Sequence, residues 1–324
     1  MNKSFKLFLA AAVLVTEFFV VALPLMITSA KADGHPIQAV THAGFGGGTD
    51  VTTRMMLLRT RRYLKQDMQL VNKKGGGGAA SMDYMMTLPA DGNHTLTWTT
   101  GHAVSMALGK TKVKLSDMQP LARGTDDPQL FVVNCKNDIK DAKKFISAQK
   151  SKSLKYGTTH VGGIDDVSAI AFTKKGKLTD PTIVAYKGVG PIKTNLIKGD
   201  IDVGVLNLGE AVTEIEDGTL CVSVVLASNR MEKLSNVPTA TELGIPVVLS
   251  TVRGFVTRKG VPADRKKQLE DAMIKAMEHK YFQSFLTDIG LDSTSVVGAD
   301  EWGKQMEVML AEMTAQLKAL GYIN

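Results

Sequence analysis

The stretch Phe45-Gly46-Gly47-Gly48-Thr49-Asp50 joins a short predicted strand to a predicted helix. Residues 37–40 before it are apolar and partly β-branched, which is typical of a strand. After it, Val51, Met55 and Leu58 recur at helical spacing, and either of the last two residues of the stretch is expected to cap that helix. Glycines let the backbone approach a ligand, and a helix start offers N–H groups and a positive dipole end. The stretch therefore predicts an anion-binding turn.

Taken alone, the motif leaves two interpretations open. It is not a Walker A loop, because no Gly-Lys-Ser/Thr follows, and it is not GxGxxG, because Thr49 stands where the last glycine belongs. A tight strand-to-helix turn without a ligand is the alternative. The rest of the chain has to decide between them.

The N-terminus has the features of a secretory signal. Two lysines precede an apolar run over residues 7–15, and Ala30-Lys31-Ala32 fits an A-x-A cleavage site. We therefore expect residues 1–32 to be a cleaved signal peptide and the mature protein to be exported. An uncleaved anchor is the alternative, because the apolar segment continues to residue 27.

Composition narrows the classes of partner. The formal net charge of +7 is spread over separated lysine pairs, which are typical of solvated faces, so no nucleic-acid partner is expected. The two cysteines, Cys135 and Cys221, could pair in an oxidising compartment or remain as two buried thiols. Their number excludes a disulfide scaffold.

Short strands alternate with amphipathic helices along most of the chain, which predicts an α/β fold with a largely parallel sheet. The methionines of the last helix recur on one face and are expected to fill the core. The predicted strands lie at 37–40, 68–72, 95–99, 183–186, 201–206 and 222–227.

Two apolar, β-rich stretches fall where one block of α/β units gives way to the next. They predict hinge crossings near residues 129–134 and 252–258. The first lobe would then be discontinuous, with residues 33–128 and 255–324, and the second lobe would be 129–254. Ligands of open α/β sheets bind at strand-to-helix loops, so the cleft between the lobes is the expected site.

Several short motifs are weak singly but specific in their order and spacing. On these motifs the mature sequence resembles the periplasmic solute-binding proteins of tripartite tricarboxylate transporters. The motifs are Gly46-Gly47-Gly48-Thr49-Asp50, Asn72-Lys73 with 75–78, Ala90-Asp91-Gly92, Tyr156-Gly157-Thr158, Tyr186-Lys187-Gly188 with Pro191, Gly199-Asp200-Ile201-Asp202, 236–244, Arg253-Gly254 and Gly260-Val261-Pro262.

This resemblance implies a two-lobed periplasmic binding protein of the Venus-flytrap, type II-like class, with a ligand cleft between the lobes. Such a protein captures a small organic carboxylate, either a dicarboxylate or an aromatic or related acid. It then delivers the acid to the membrane permease subunits of a tripartite transporter. The resemblance also implies a monomer without cofactor, metal or catalytic residues.

In such proteins two loops hold the carboxylate, largely through backbone amides and ordered water. Here the first loop would be residues 45–50 and the second loop residues 158–166. The ligand-binding residues expected on this basis are Phe45, Gly46, Gly47, Gly48, Thr49, Asp50, Thr99, His102, Thr158, Thr159, His160, Gly162, Gly163, Asp166, Tyr186 and Asn207.

The second loop departs from the family pattern, which has a Gly-x-Gly-Ser spacing followed by a histidine. Those places hold His160, Gly162, Gly163 and Asp166 in this chain. An acid at position 166 is expected to disfavour an anionic ligand arm. Either Asp166 faces away from the ligand, or the ligand brings a hydroxyl, an amine or a short tail there. Citrate is therefore not the expected ligand.

Two other functions compete with binding as interpretations of the cleft. A secreted hydrolase or transferase would need an activated nucleophile, but Gly-x-Ser-x-Gly and His-Glu-x-x-His are absent and neither cysteine begins a helix beside a histidine. A sensor that presents its ligand to a membrane kinase would share the binding step. No His-x-x-x-His or clustered Cys/His spacing supports a metal site.

Overall fold

The computed structural model describes residues 35–159 and 161–323. The predicted signal peptide and His160 lie outside the described residues. The strands are β1 (Ile37–Thr41), β2 (Met68–Asn72), β3 (His94–Thr99), β4 (Met118–Pro128), β5 (Leu130–Asn134), β6 (Lys155–Thr158), β7 (Thr182–Ala185), β8 (Val203–Leu206), β9 (Leu220–Val225), β10 (Ser250–Arg258) and β11 (Val297–Gly298).

Helices alternate with these strands through most of the chain. They are α1 (Gly48–Leu64), α2 (Ala79–Thr87), α3 (Thr100–Ala107), α4 (Ala142–Ser151), α5 (Ile164–Lys175), α6 (Val189–Lys198), α7 (Leu208–Glu216), α8 (Ala263–Glu278), α9 (Lys280–Asp288) and α10 (Ala299–Ala319). Within the residues that the structure describes, no helix combines the length and the apolar character required to cross a bilayer.

Two sheets organise the molecule into two α/β lobes. The six-stranded sheet has the order β11-β4-β10-β3-β1-β2, and the five-stranded sheet has the order β7-β6-β8-β5-β9. The first sheet takes strands from both ends of the chain and the second takes them from the middle. The exact lobe limits and hinge positions given above stay a prediction.

Both sheets are mixed, whereas the alternation of strands and helices predicted a largely parallel sheet. Strands β1, β2 and β3 are parallel to one another, as are β6, β7 and β8. Strand β10 is antiparallel to both β3 and β4, and β5 is antiparallel to both β8 and β9. The strands at the crossings between the two sheets, namely β4, β5 and β10, run against their neighbours, and this accounts for the difference.

The chain passes from the first sheet to the second at Gln129, between β4 and β5. The backbone N–H of Gln129 donates to Leu249 O at 2.9 Å, and its side-chain amide donates to Thr251 Oγ1 at 2.6 Å. Leu226 N–H in turn donates to Gln129 O at 2.9 Å. The crossing strand is therefore fixed to the chain that returns to β10.

Hydrophobic burial stabilises both lobes, and one continuous core cluster contains buried residues of each. Helix α10 buries one face, with Trp302, Met306, Met309, Met313 and Leu317, as its periodicity predicts. In the second lobe the rings of Phe131, Phe145, Tyr156 and Phe172 pack at centroid distances between 4.9 and 6.4 Å. Aromatic pairs at such distances contribute about 0.5–1.5 kcal/mol each beyond the area they bury.

The two cysteines form a disulfide, which answers the question that the sequence leaves open. Cys135 follows β5 and Cys221 lies in β9, and these two strands are neighbours in the second sheet. Their Cα atoms are 5.0 Å apart, and the bridge spans a sequence separation of 86 residues. The bond closes most of the second lobe into one covalent loop.

We expect the double substitution of Cys135 and Cys221 by serine to lower the free energy of unfolding by about 2–4 kcal/mol, because a bridge over a long loop restricts the unfolded chain. Urea unfolding of the oxidised protein and the double-serine variant measures this. A cysteine-free variant with the wild-type midpoint would contradict the prediction.

Candidate functional site

Three helices begin at one cavity, and its lining comes from both lobes. The cavity has a volume of about 300 Å³. The first residues of α1, α6 and α7 contribute to its wall, so N–H groups and positive dipole ends are directed at it. The lining consists of Gly46, Gly47, Gly48, Val51, Thr52, Asp127, Val189, Gly190, Lys193, Gly209, Glu210, Arg253, Phe285 and Ile289.

The first loop shapes one wall of this cavity. Gly46 has a φ of 75°, a left-handed conformation that favours glycine, and Gly47 is the N-cap of α1 in an extended conformation. The expectation that Thr49 or Asp50 caps the helix is therefore wrong. The helix begins two residues earlier, because Asp50 reaches back across the first turn and its Oδ2 accepts the N–H of Gly46 at 3.0 Å.

Asp50 fixes the first loop from inside helix α1. It is buried, and its Oδ2 also accepts from Arg54 Nε at 2.9 Å. Burial alone would raise the pKa of Asp50, but the hydrogen bonds from Arg54 and Gly46 outweigh it and lower that pKa below its usual value. The carboxylate is thus ionised at neutral pH and holds the turn.

A buried arginine connects the first loop to the rest of the site. Arg253 on β10 is 3% exposed, and its Nη1 donates to Asp127 Oδ2 at 3.0 Å. Its Nε donates to Thr49 Oγ1 at 3.3 Å, and its Nη2 donates to Asn207 Oδ1 at 3.4 Å. One guanidinium therefore contacts α1, the end of β4 and the start of α7.

Asp127 is the counter-ion of Arg253 and lines the cavity. It is 3% exposed, and burial raises its pKa to about 6 although the charge of Arg253 opposes this. Its second oxygen, Oδ1, is buried and has no hydrogen-bond partner among the described residues. Leaving a buried acceptor unpaired costs free energy, so this atom is suited to a donor supplied from the cavity.

Asn207 and Glu210 form the start of α7. Asn207 is the N-cap, and its Nδ2 donates to Asp127 O at 2.9 Å and to Pro128 O at 3.0 Å. Glu210 Oε2 accepts the N–H of Asn207 at 3.0 Å. Burial raises the pKa of Glu210 to about 7, although this hydrogen bond and Arg253 oppose the shift. The cavity thus contains two acids that titrate near neutral pH.

The second loop repeats the geometry of the first but does not line this cavity with any described residue. Gly162 has a φ of 69° and donates its N–H to Asp166 Oδ2 at 2.6 Å, and Gly163 is the N-cap of α5. The N–H of Thr159 donates to Asp165 Oδ2 at 2.9 Å. Asp166 is 1% exposed, so its carboxylate holds its own loop.

Thr158 and Tyr186 lie at the ends of two adjacent parallel strands. Thr158 is fully buried, and its Oγ1 has no hydrogen-bond partner within the described part of the chain. The N–H of Tyr186 donates to Thr158 O at 2.8 Å, and the Tyr186 ring packs beside the second hydrophobic core. Their contact with a ligand stays a prediction.

Thr99 and His102 are buried at the start of α3. His102 Nδ1 accepts the N–H of Thr99 at 3.0 Å, and His102 Nε2 lies 3.0 Å from Ser81 Oγ. Burial, with a smaller effect of His42, holds the pKa of His102 well below its usual value, so the ring is neutral. These contacts give both residues a structural role, and ligand contact stays a prediction for them as well.

Phe45 stands at the outer rim of the first loop. Its side chain is 78% exposed and lies between two cations, with Arg54 at 5.8 Å and Lys74 at 5.6 Å from the ring centroid. Cations over an exposed ring contribute about 0.5–1 kcal/mol. The ring is held at the rim and does not line the cavity wall.

Comparison with known proteins identifies the family. The chain matches the family described as "Tripartite tricarboxylate transporter family receptor" over residues 52–320. It belongs to this family. The resemblance noted from the motifs is thereby confirmed, and the family is one of solute receptors and not of enzymes, as expected.

Individual relatives of this receptor are distant in sequence but close in fold. Protein BugT of Bordetella pertussis is 26% identical over 220 residues, which are 65% of this chain and 66% of BugT. MatC from Rhodopseudomonas palustris, solved with bound malate, has a TM-score of 0.77 at 23% identity and covers 87% of this chain and 99% of its own. An R. palustris protein solved with adipate has a TM-score of 0.80 at 21% identity, covering 90% and 99%. The two-lobed binding-protein fold is confirmed.

Among the described residues of the receptor, no group of three or more histidine, cysteine or acidic side chains is arranged to hold a metal ion.

The sequence analysis missed several cavity residues, namely Asp127, Lys193, Glu210, Phe285 and Ile289, and it used Arg253 only as a family landmark. The Asn-x-x-Glu spacing of Asn207 and Glu210 was a readable signal, because it is a helix-start pattern.

The contact between Gly48 and Arg253 gives a first test of this geometry. A Cβ at Gly48 would lie 2.6 Å from Arg253 Nη2, so we expect Gly48→Ala to displace the guanidinium and lower the free energy of unfolding by about 1–3 kcal/mol. Urea unfolding measures this. Gly44→Ala is the matched control, because its Cβ would meet only Lys74 Nζ at 3.6 Å. A Gly48→Ala variant as stable as the control would contradict the prediction.

The raised pKa of Glu210 gives a second test, because the folded protein keeps a proton that the unfolded chain releases near pH 4.5. Its contribution to the free energy of unfolding therefore falls as pH rises from about 4.5 through about 7. The Glu210→Gln variant does not have this loss. We expect its free energy of unfolding to exceed that of the wild type by roughly 1–2 kcal/mol at about pH 8 and to differ little at about pH 4.5.

Urea unfolding at the two pH values measures the difference. Glu216→Gln on the same helix is the control, since Glu216 is exposed and should change neither value. Equal effects of the two variants at high pH would show that Glu210 carries no unusual proton.

Proposed function

We propose that this receptor captures a small organic carboxylate in the cavity between its lobes and delivers it to the membrane subunits of a tripartite transporter. The observation that carries the proposal is the convergence of three helix starts and Arg253 on one cavity of about 300 Å³. Membership of the receptor family supports the delivery step.

The chemistry of the lining supports a carboxylate. One carboxylate group sits on the N–H groups at the start of α1, where charge-assisted hydrogen bonds are about twice as strong as neutral ones. These donors carry no net charge, so the cost of burying an additional cation is avoided. Arg253 lies against the same turn, and its own charge is balanced by Asp127.

The remaining wall supports a short acid with a carbon chain. Val51, Phe285 and Ile289 contribute apolar side chains to the cavity lining, and α6 and α7 begin at the same cavity. A dicarboxylate would place its chain along these apolar side chains and its second carboxylate near α6 and α7. The malate and adipate in two structural neighbours support this class, and the two acids of the cavity disfavour a third carboxylate.

The location and the working cycle belong to the same proposal. The secretory features of residues 1–32 support a periplasmic protein that acts as a monomer after cleavage of the signal. Binding draws the lobes together over the ligand, with hinges near 129–134 and 252–258, and reopening releases it to the permease. The second loop, with Thr158, Thr159 and His160, then approaches the ligand from the other lobe.

Isothermal titration against mono-, di- and aromatic carboxylates tests the proposal, and the Gly47→Val variant tests whether the carboxylate binds at the start of α1. We expect this variant to fold but to lose at least about tenfold in affinity, because a branched side chain would occupy the space where the anion contacts the helix start. The nearest atom to a Cβ at Gly47 is Gly44 O at 3.4 Å, so the backbone accommodates it.

Gly44→Val is the matched control, since Gly44 lies in the same segment but does not line the cavity. Unchanged affinity of a folded Gly47→Val protein would place the ligand elsewhere. The absence of heat from every acid at millimolar concentration would refute carboxylate capture itself.

A further inference from the structure

Glu210 is a carboxyl group in a cavity proposed to bind carboxylates. We infer that the cavity binds a dicarboxylate together with one proton, which Glu210 takes up from the solvent, so that capture of doubly charged acids is proton-linked. This inference rests on the proposed function and adds to it the residue that distinguishes doubly from singly charged ligands.

The position of Glu210 defines which of its oxygens can carry the proton. Oε2 accepts the N–H of Asn207 at 3.0 Å and is committed to the start of α7. Glu210 lines the cavity, so Oε1 is the oxygen left to meet a ligand. A protonated Oε1 donates a hydrogen bond to a carboxylate placed at this helix start, whereas an ionised Oε1 repels it.

Charged groups face Glu210 from several elements. Arg253 of β10 and Asp127 of β4 line the same cavity, and Asp165 at the start of α5 is close enough for its charge to act on Glu210. Lys193 of α6 also lines the cavity, but its Nζ is paired with Glu214 Oε1 of α7 at 2.7 Å. Strand β9 carries no charged side chain, and α9 and its C-cap contribute the apolar Phe285 and Ile289.

These groups offer no positive charge that is free to pair with a second anion. Each of the two cations already has an acidic partner, Asp127 for Arg253 and Glu214 for Lys193. Glu210 and Asp165 add negative charge without a further lysine or arginine in the cavity lining. A dicarboxylate arm at α7 therefore meets a negative environment unless one acid becomes neutral.

Glu210 is the acid best placed to do so. Burial raises its pKa to about 7, and Asp127 and Asp165 act in the same direction. A bound carboxylate beside it raises the pKa further, because a like charge disfavours ionisation. Affinity for a dicarboxylate is then highest below about pH 7 and falls as pH rises from there towards the higher pKa of the complex.

Matched pairs of acids test this with wild-type protein. Adipate and hexanoate, and likewise succinate and butanoate, have equal chain lengths but differ by one carboxylate. Titrations at about pH 8 in two buffers of different ionisation enthalpy measure proton uptake. We expect uptake approaching one proton per diacid and about none per monoacid, with diacid affinity falling up to about tenfold per pH unit above pH 7.

Glu210→Gln keeps an acceptor for Asn207 N–H and carries a permanent donor. We expect this variant to bind the diacid without proton uptake, and at about pH 8 to bind it up to about tenfold more tightly than wild type. Glu216→Gln, on the exposed side of the same helix, should behave as wild type. A purely structural role of Glu210 would change affinity without removing the proton uptake.

The outcomes separate the inference from the proposed function. Diacid binding without proton uptake by the wild type overturns the inference and leaves carboxylate capture intact. Diacid affinity that rises with pH also overturns it, since the ionised acid would then be the recognising form. Binding of neither diacids nor monoacids overturns both.

Discussion

The buried ion pair of Arg253 with Asp127 is the interaction on which the site depends. The two residues are 126 positions apart, yet their side chains meet at 3.0 Å with both almost inaccessible to water. Removing one partner of such a pair typically costs about 3–5 kcal/mol, because the other charge remains buried. The planar guanidinium also reaches Thr49 and Asn207, which a lysine could not do from one position. The side chain of Arg253 therefore contacts the first loop, the crossing strand and the second lobe at once.

What the sequence could predict was local. The strand at 68–72, the glycine turn at 45–50 and the buried face of α10 follow from spacing and composition over a few residues, and all three are found. Strand β4 was missed because Arg123, Asp126 and Asp127 make it look like a polar loop. Arg123 and Asp127 are buried only because partners arrive from β10 and from the last part of the chain, and no pattern along the sequence reports that. For the same reason the sequence predicted the glycine turn of the cavity but not its lining by Asp127, Glu210 and Phe285.

The acids of the cavity change how ligand selectivity is understood in this receptor. The sequence analysis left open whether Asp166 faces the ligand or faces away. Its carboxylate accepts the N–H of Gly162 within the second loop, and the acids that line the cavity are Asp127 and Glu210. Burial raises the pKa of both acids, so the charge of the site changes with pH near neutrality. A site of this kind can combine helix-start amides, which favour anions, with carboxyl groups that limit how much negative charge enters.

The two glycine loops share one construction, with a positive-φ glycine whose N–H binds an aspartate four residues later: Gly46 with Asp50, and Gly162 with Asp166. The flexibility that glycine brings is thus cancelled within each loop by its own carboxylate. A guest arriving at such a loop finds the amides already oriented and spends little conformational entropy on ordering them. Preorganisation of this sort lowers the entropic cost of binding an anion, so any larger rearrangement would be confined to the proposed movement of the lobes.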